Sequence, residues 1–123
     1  MNGQLVLVLM VALGGATGAI LRFAVSSILP NEGGIGIGVL IVNIIGCSLI
    51  TFVMFSFEMG ESATAFLFVG VLGAFTTMSA VSLETTNLFV SGLMGAALLN
   101  VTLNVMACAG GGFMGWLISA HVF

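Results

Sequence analysis

The chain has 123 residues, of which 60% are hydrophobic and 4% charged, with a mean hydropathy of +1.36. Soluble domains carry roughly 25% charged residues, so this composition describes an integral membrane protein with no soluble catalytic domain. The formal net charge of −3 sets Glu32, Glu58, Glu61 and Glu84 against one cation, Arg22, which leaves no basic face and excludes nucleic acid as a partner.

In chain order, Gln4 to Leu29 is an apolar run broken only by Thr17, Arg22, Ser26 and Ser27, long enough to cross a ~30 Å hydrocarbon core. A signal peptide is the competing explanation. It is disfavoured because no Lys or Arg precedes the run and the apolar pattern continues beyond any small-residue cleavage site. Pro30-Asn31-Glu32-Gly33-Gly34 marks a turn, since proline ends the helix and paired glycines free the backbone. A second apolar run covers about 35–57, Glu58 to Ser62 forms the next polar break, a third run covers about 63–90, and a fourth covers about 92–119. The expected architecture is therefore one all-α transmembrane domain of four spans.

Small residues recur at helix-packing spacing. Gly14 and Gly18 make a GxxxG pair in the first span and Gly111 and Gly115 make another in the fourth, so another backbone can approach closely at each. That approach serves packing within one subunit or association between subunits. Four thin helices can hardly enclose a pore, so an oligomer is expected. Because the flanking loops contain no Lys or Arg, the usual determinant of orientation is missing. A chain that inserts both ways would pair as an antiparallel, dual-topology dimer.

Polar residues at membrane depth are costly and mark function or packing. Arg22, near the far end of the first span, either snorkels to the interface or draws anions to a mouth. Asn43, in the middle of the second, either ties two helices together or lines a pore. Asn100 and Asn104 are one turn apart, with Cys108 continuing the same face, and read as a wet stripe. Cys47 and Cys108 have no metal-ligand spacing and read as small buried apolar residues. The third span holds Gly73-Ala74-Phe75-Thr76-Thr77-Met78-Ser79-Ala80-Val81-Ser82-Leu83-Glu84, where a helix break near the middle would free backbone carbonyls. Freed carbonyls suit a hard monovalent cation, and freed N–H groups and hydroxyls suit an anion. Glu84 falls near the water boundary, where it is either a plain helix-end carboxylate or part of the polar stretch's function. Taken together, these residues describe a small ion-conducting protein.

The runs 14–23 (GGATGAILRF), 38–46 (GVLIVNIIG), 73–84 and 97–104 (ALLNVTLN), in this order and at this length, resemble the bacterial fluoride channel family called Fluc or CrcB. The resemblance spans essentially the whole chain. It implies a multi-pass protein of the cell's inner (plasma) membrane and a passive path that exports cytoplasmic fluoride. It also implies an antiparallel homodimer, or a dimer with a closely related second subunit, and a structural sodium (Na+) held by backbone carbonyls at Gly73 and Thr76 of each copy. Matched residue by residue, Arg22 is similar to the vestibule arginine, Asn43 to the pore asparagine, Ser79 to a polar residue of the central break, and Glu84 to the carboxylate ending the polar track, with Asn100 and Asn104 continuing that track. Met78 and Val81 stand where the family carries two phenylalanines that line the anion path. A phenyl edge is electropositive, a methionine side chain offers a weaker edge, and valine offers none comparable, so the chain is either a modified channel or the partner subunit of a two-chain channel. A small multidrug antiporter would want a carboxylate in an early span, and neither of the first two spans has one. An accessory subunit would lack a continuous polar track, and an enzyme would need a nucleophile-base pair that is absent.

Overall fold

The computed structural model describes residues 2–123. Helix α1 spans Gly3–Ile28 and opens on Asn2, whose side-chain oxygen accepts the Gln4 N–H at 3.2 Å, an N-cap that satisfies one orphan donor. It ends where Leu29 turns extended ahead of Pro30, as the residue before a proline prefers. Strands β1 (Asn31–Glu32) and β2 (Ile35–Gly36) then pair antiparallel, Asn31 opposite Gly36 and Glu32 opposite Ile35. Gly33 and Gly34, with φ of 60° and 86°, form the two-residue turn that such a hairpin requires. The break expected at 30–34 is thus a tight hairpin, and the remaining elements are helical.

Helix α2 (Ile37–Ser56) starts directly from the hairpin. The third span begins with α3 (Glu61–Thr64), widens into a π-helical stretch over Ala65–Leu72, and returns to α4 (Gly73–Phe75). Thr76 (φ −76°, ψ 152°) and Thr77 (φ −151°, ψ 113°) are extended, and α5 (Met78–Val90) follows. Thr77 caps α5, its Oγ1 accepting the Ala80 N–H at 3.2 Å. At the far end Gly92 (φ 79°) closes α5: its N–H donates to Phe89 O at 3.0 Å and Leu93 N–H to Leu88 O at 2.9 Å, so the last carbonyls are met. Helix α6 (Met94–Val122) completes the chain.

Four helical segments, Gly3–Ile28, Ile37–Ser56, Glu61–Val90 and Met94–Val122, are long and apolar enough to cross a membrane. Large apolar side chains cover their outer faces, Phe23 and Val90 being 73% and 78% exposed, as a lipid-facing surface requires. The interior is small and built on close backbone approach. A Cβ at Gly14 or Gly18 would overlap Phe66 O or Val71 O, so the first glycine pair packs α1 on the π-helical stretch of the same subunit. Likewise Gly111 meets Ile44 and Ser48, and Gly115 meets Ser48 and Thr51, which packs α6 on α2. Both glycine pairs are therefore used within the subunit, where dispersion between close backbones replaces the hydrophobic effect.

Candidate functional site

On α2, Asn43 and Gly46 face the extended pair Thr76-Thr77. A Cβ at Gly46 would overlap the Thr76 methyl, so the glycine gives that segment room. Asn43 then grips the neighbouring peptide from both sides: its Oδ1 accepts the Thr77 N–H at 2.8 Å and its Nδ2 donates to Thr77 O at 3.1 Å. A continuous helix would pair that N–H with Gly73 O; here it goes to a side chain instead. Thr76 keeps its own N–H on Leu72 O at 3.1 Å, and its hydroxyl donates to the same carbonyl.

From Asn43 a line of hydrogen bonds runs along α6 to α5. Asn43 Nδ2 also donates to Asn104 Oδ1 at 3.1 Å. Asn104 Nδ2 donates to Asn100 O at 2.9 Å and to Asn100 Oδ1 at 3.3 Å. Asn100 Nδ2 in turn reaches Thr85 Oγ1 at 3.1 Å and Glu84 Oε2 at 3.4 Å. Asn43, Asn100 and Asn104 are buried to 3% exposure or less, and among the described residues no buried side-chain nitrogen or oxygen lacks a partner. Each of the three Nδ2 groups meets two acceptors, which uses both of its hydrogens.

This geometry brings Asn43, Asn100, Asn104 and Glu84 into one continuous polar track. Ser79 is attached at its edge, its hydroxyl 3.0 Å from Thr77 Oγ1, and is itself exposed. Met78 is 58% exposed, whereas Val81 is completely buried, so the two positions where the resemblance leads us to expect phenylalanine have unlike surroundings. Gly73 is exposed and Thr76 half-buried. Arg22 is half-buried on α1 and has no part in the track's hydrogen bonds; its carbonyl accepts from Ser26 Oγ at 2.7 Å. The sequence marks Thr77 only as part of the helix break and does not single out Thr85. Thr77 could have been found as a hydroxyl three residues before Ala80 at a helix start, and Thr85 only by its place beside Glu84. One turn beyond Asn43 and Asn104, Cys47 and Cys108 are neighbours within hydrogen-bonding reach, half-buried rather than fully enclosed. Among the described residues there is no group of three or more His, Cys, Asp or Glu side chains that could hold a metal, so any cation site must use carbonyl or hydroxyl oxygens.

A family model described as CrcB-like protein, Camphor Resistance (CrcB), matches residues 9–116. The chain belongs to the CrcB family. A protein of Methanococcus maripaludis named fluoride-specific ion channel FluC is 39% identical over 115 residues, covering 91% of this chain and 94% of the relative. Proteins of the same name from a Sulfurovum species and from Shewanella pealeana are 36% identical over 121 residues and 42% over 107, covering 95% and 82% of this chain and 96% and 86% of the relatives. These CrcB relatives are named as channels, not as enzymes. With four membrane-length helices and ion-channel relatives, this CrcB chain is a multi-pass membrane protein.

Proposed function

We propose that the chain is a subunit of a passive, fluoride-selective channel that exports cytoplasmic fluoride across the cell's inner membrane as an antiparallel dimer. The observation that carries this reading is a buried polar track from Asn43 to Glu84 in a chain whose relatives, matched over most of its length, are named fluoride-specific channels. Hydrogen fluoride enters a cell as a neutral acid and dissociates there. An inside-negative potential, at ~2.3 kcal/mol per charge per 100 mV, then drives the anion out through a leak without ATP or a coupled proton.

The hydrogen bonding of the amides supports one division of labour along the path. With both hydrogens of each Nδ2 committed to protein, Asn43, Asn100 and Asn104 act as the frame of the path. The ion then travels along the track's exposed side, past Ser79 and Met78, with Glu84 at one end. Arg22, off the track, serves as an electropositive lure near a mouth. Dual topology is supported by loops devoid of Lys and Arg.

The residues also fit a structural sodium. Asn43 takes the Thr77 N–H that Gly73 O would receive in a continuous helix, at an exposed glycine. Gly73 and Thr76 carbonyls would hold the ion, and bound there it would supply positive charge at the contact between the two copies. A second reading, that this chain is the partner subunit of a two-chain channel, is favoured by Met78 and Val81 in place of the phenylalanines. The small-antiporter alternative is disfavoured because Glu32 and Glu58 lie outside α1 and α2.

Efflux from liposomes holding only this purified chain, with fluoride compared against chloride, tests the reading. Fluoride-selective efflux is expected. No efflux alone, but efflux when mixed with a relative bearing both phenylalanines, would make the chain a partner subunit.

A further inference from the structure

Gly36 is the residue where β2 ends and α2 begins, and its place is fixed from both sides. It pairs with Asn31 in the hairpin and is the N-cap of α2. Its backbone, φ −74° and ψ 96°, is one any amino acid adopts, unlike the positive φ of Gly33 and Gly34. Conformation therefore does not call for glycine here; space does. A Cβ built on Gly36 would overlap Glu84 Oε1, with Glu84 Cδ 2.8 Å and Oε2 3.2 Å away.

We infer that Gly36 is a positioning residue for Glu84: the volume its side chain would fill is taken by the carboxylate, which is thereby held against the start of α2 and within reach of Asn100. Two further features agree. Gly36 provides no side-chain cap for α2, and the carboxylate beside it lies near the positive end of that helix's dipole. Glu84 also lines an open cavity of about 290 Å³ with Asn31, Asn87 and Ser91, into which the side chain would swing if pushed off Gly36. In that position it would leave Asn100 Nδ2, now 3.4 Å from Oε2, and the track would lose its terminal carboxylate. The inference rests on the proposed role of Glu84 at the end of the fluoride path.

The test is a double-mutant cycle on the full chain in liposomes and in detergent. Gly36→Ala is expected to lower fluoride efflux about tenfold, equivalent to ~1.4 kcal/mol on the barrier. Glu84→Asp, one methylene shorter, is expected to lower it on its own. The double variant is expected to conduct no worse than Glu84→Asp alone, because the shorter side chain clears the new methyl. Losses that multiply, or Gly36→Ala efflux within about twofold of the parent, would overturn the inference. Thermal unfolding in detergent gives an independent arm. Gly36→Ala should lower the midpoint in the parent and leave it unchanged in a Glu84→Ala background; an equal loss in both backgrounds, or no loss in the parent, would sink the proposal, and the Glu84→Ala background decides it even if the single variant is too unstable to assay. Should Glu84→Ala leave efflux unchanged in a conducting parent, the path reading of Glu84 fails, and the thermal arm still decides whether Gly36 makes room for it.

Discussion

Asn43 and Asn104 join the middles of two spans through an Nδ2 to Oδ1 hydrogen bond of 3.1 Å, while the same Asn43 amide brackets the Thr77 peptide. From sequence, Asn43 is either a helix tie or a pore donor; its hydrogen bonds tie α2 to α6 and to the Thr76-Thr77 segment. Asn43→Ala would leave the Thr77 N–H and C=O without these partners in a residue only 6% exposed. Each orphaned group costs about 1–3 kcal/mol. A lower thermal midpoint in detergent is therefore expected together with slower fluoride efflux. A variant as stable as the parent but slow in efflux would instead place the amide in contact with the ion.

The glycines of α1 offer a paired comparison within one helical turn. Gly18 lies against the Val71 carbonyl, whereas nothing stands within 4 Å of a Cβ at Gly15. Gly18→Val should cost about 1–3 kcal/mol or more through overpacking, because the obstacle is backbone and cannot rotate away. Gly15→Ala should be neutral. Yield of folded protein and its thermal midpoint in detergent measure both, and equal losses at the two sites would contradict the packing described.

Much of this was legible because the physics is local. Four apolar runs define four helices, Pro30 stops α1, and the Gly33-Gly34 pair makes the hairpin turn. Asn100 and Asn104 share a face by spacing alone and meet as that spacing requires. What stayed hidden depends on residues far apart in the chain. Thirty-four positions separate Asn43 from Thr77, and no periodicity reveals that an amide would take a peptide N–H from its own helix. The glycine pairs were visible as close-approach faces, but whether the opposing backbone belonged to the same subunit was not. The widening of the third span over Ala65–Leu72 has no local sequence mark that we can identify. From the resemblance, Met78 and Val81 are both expected to face the path in place of phenylalanine, yet one faces outward and the other is enclosed.

That last difference gives a prediction. Met78 has room on its exposed side, so Met78→Phe should fold normally and preserve or raise fluoride efflux by placing an electropositive ring edge beside Ser79. Val81 has no exposed surface, and Val81→Phe should lose about 1–3 kcal/mol by overpacking. Thermal midpoints and efflux rates on the two variants separate the effects. If Val81→Phe were the tolerated, faster variant, the α5 face assigned to the ion would be wrong.

The proposed sodium makes stability depend on a cation that carries no current. A ligand that binds only the folded dimer stabilises it by RT ln(1 + [L]/Kd), about 2.7 kcal/mol at a hundredfold excess over Kd. Exchanging sodium for N-methylglucamine during purification should accordingly lower the thermal midpoint and shift the dimer toward monomer, with recovery when sodium is returned. Thr76→Ala separates backbone from side chain at the site. Its hydroxyl donates to Leu72 O at 3.1 Å and keeps its oxygen lone pairs, so both oxygens of Thr76 are candidate ligands; if the carbonyl is the one that holds the cation, sodium dependence should survive the substitution. Loss of that dependence would move the ligand to the hydroxyl. No sodium effect in either protein would remove the cation from the account and leave the extended Thr76-Thr77 segment held by Asn43 alone.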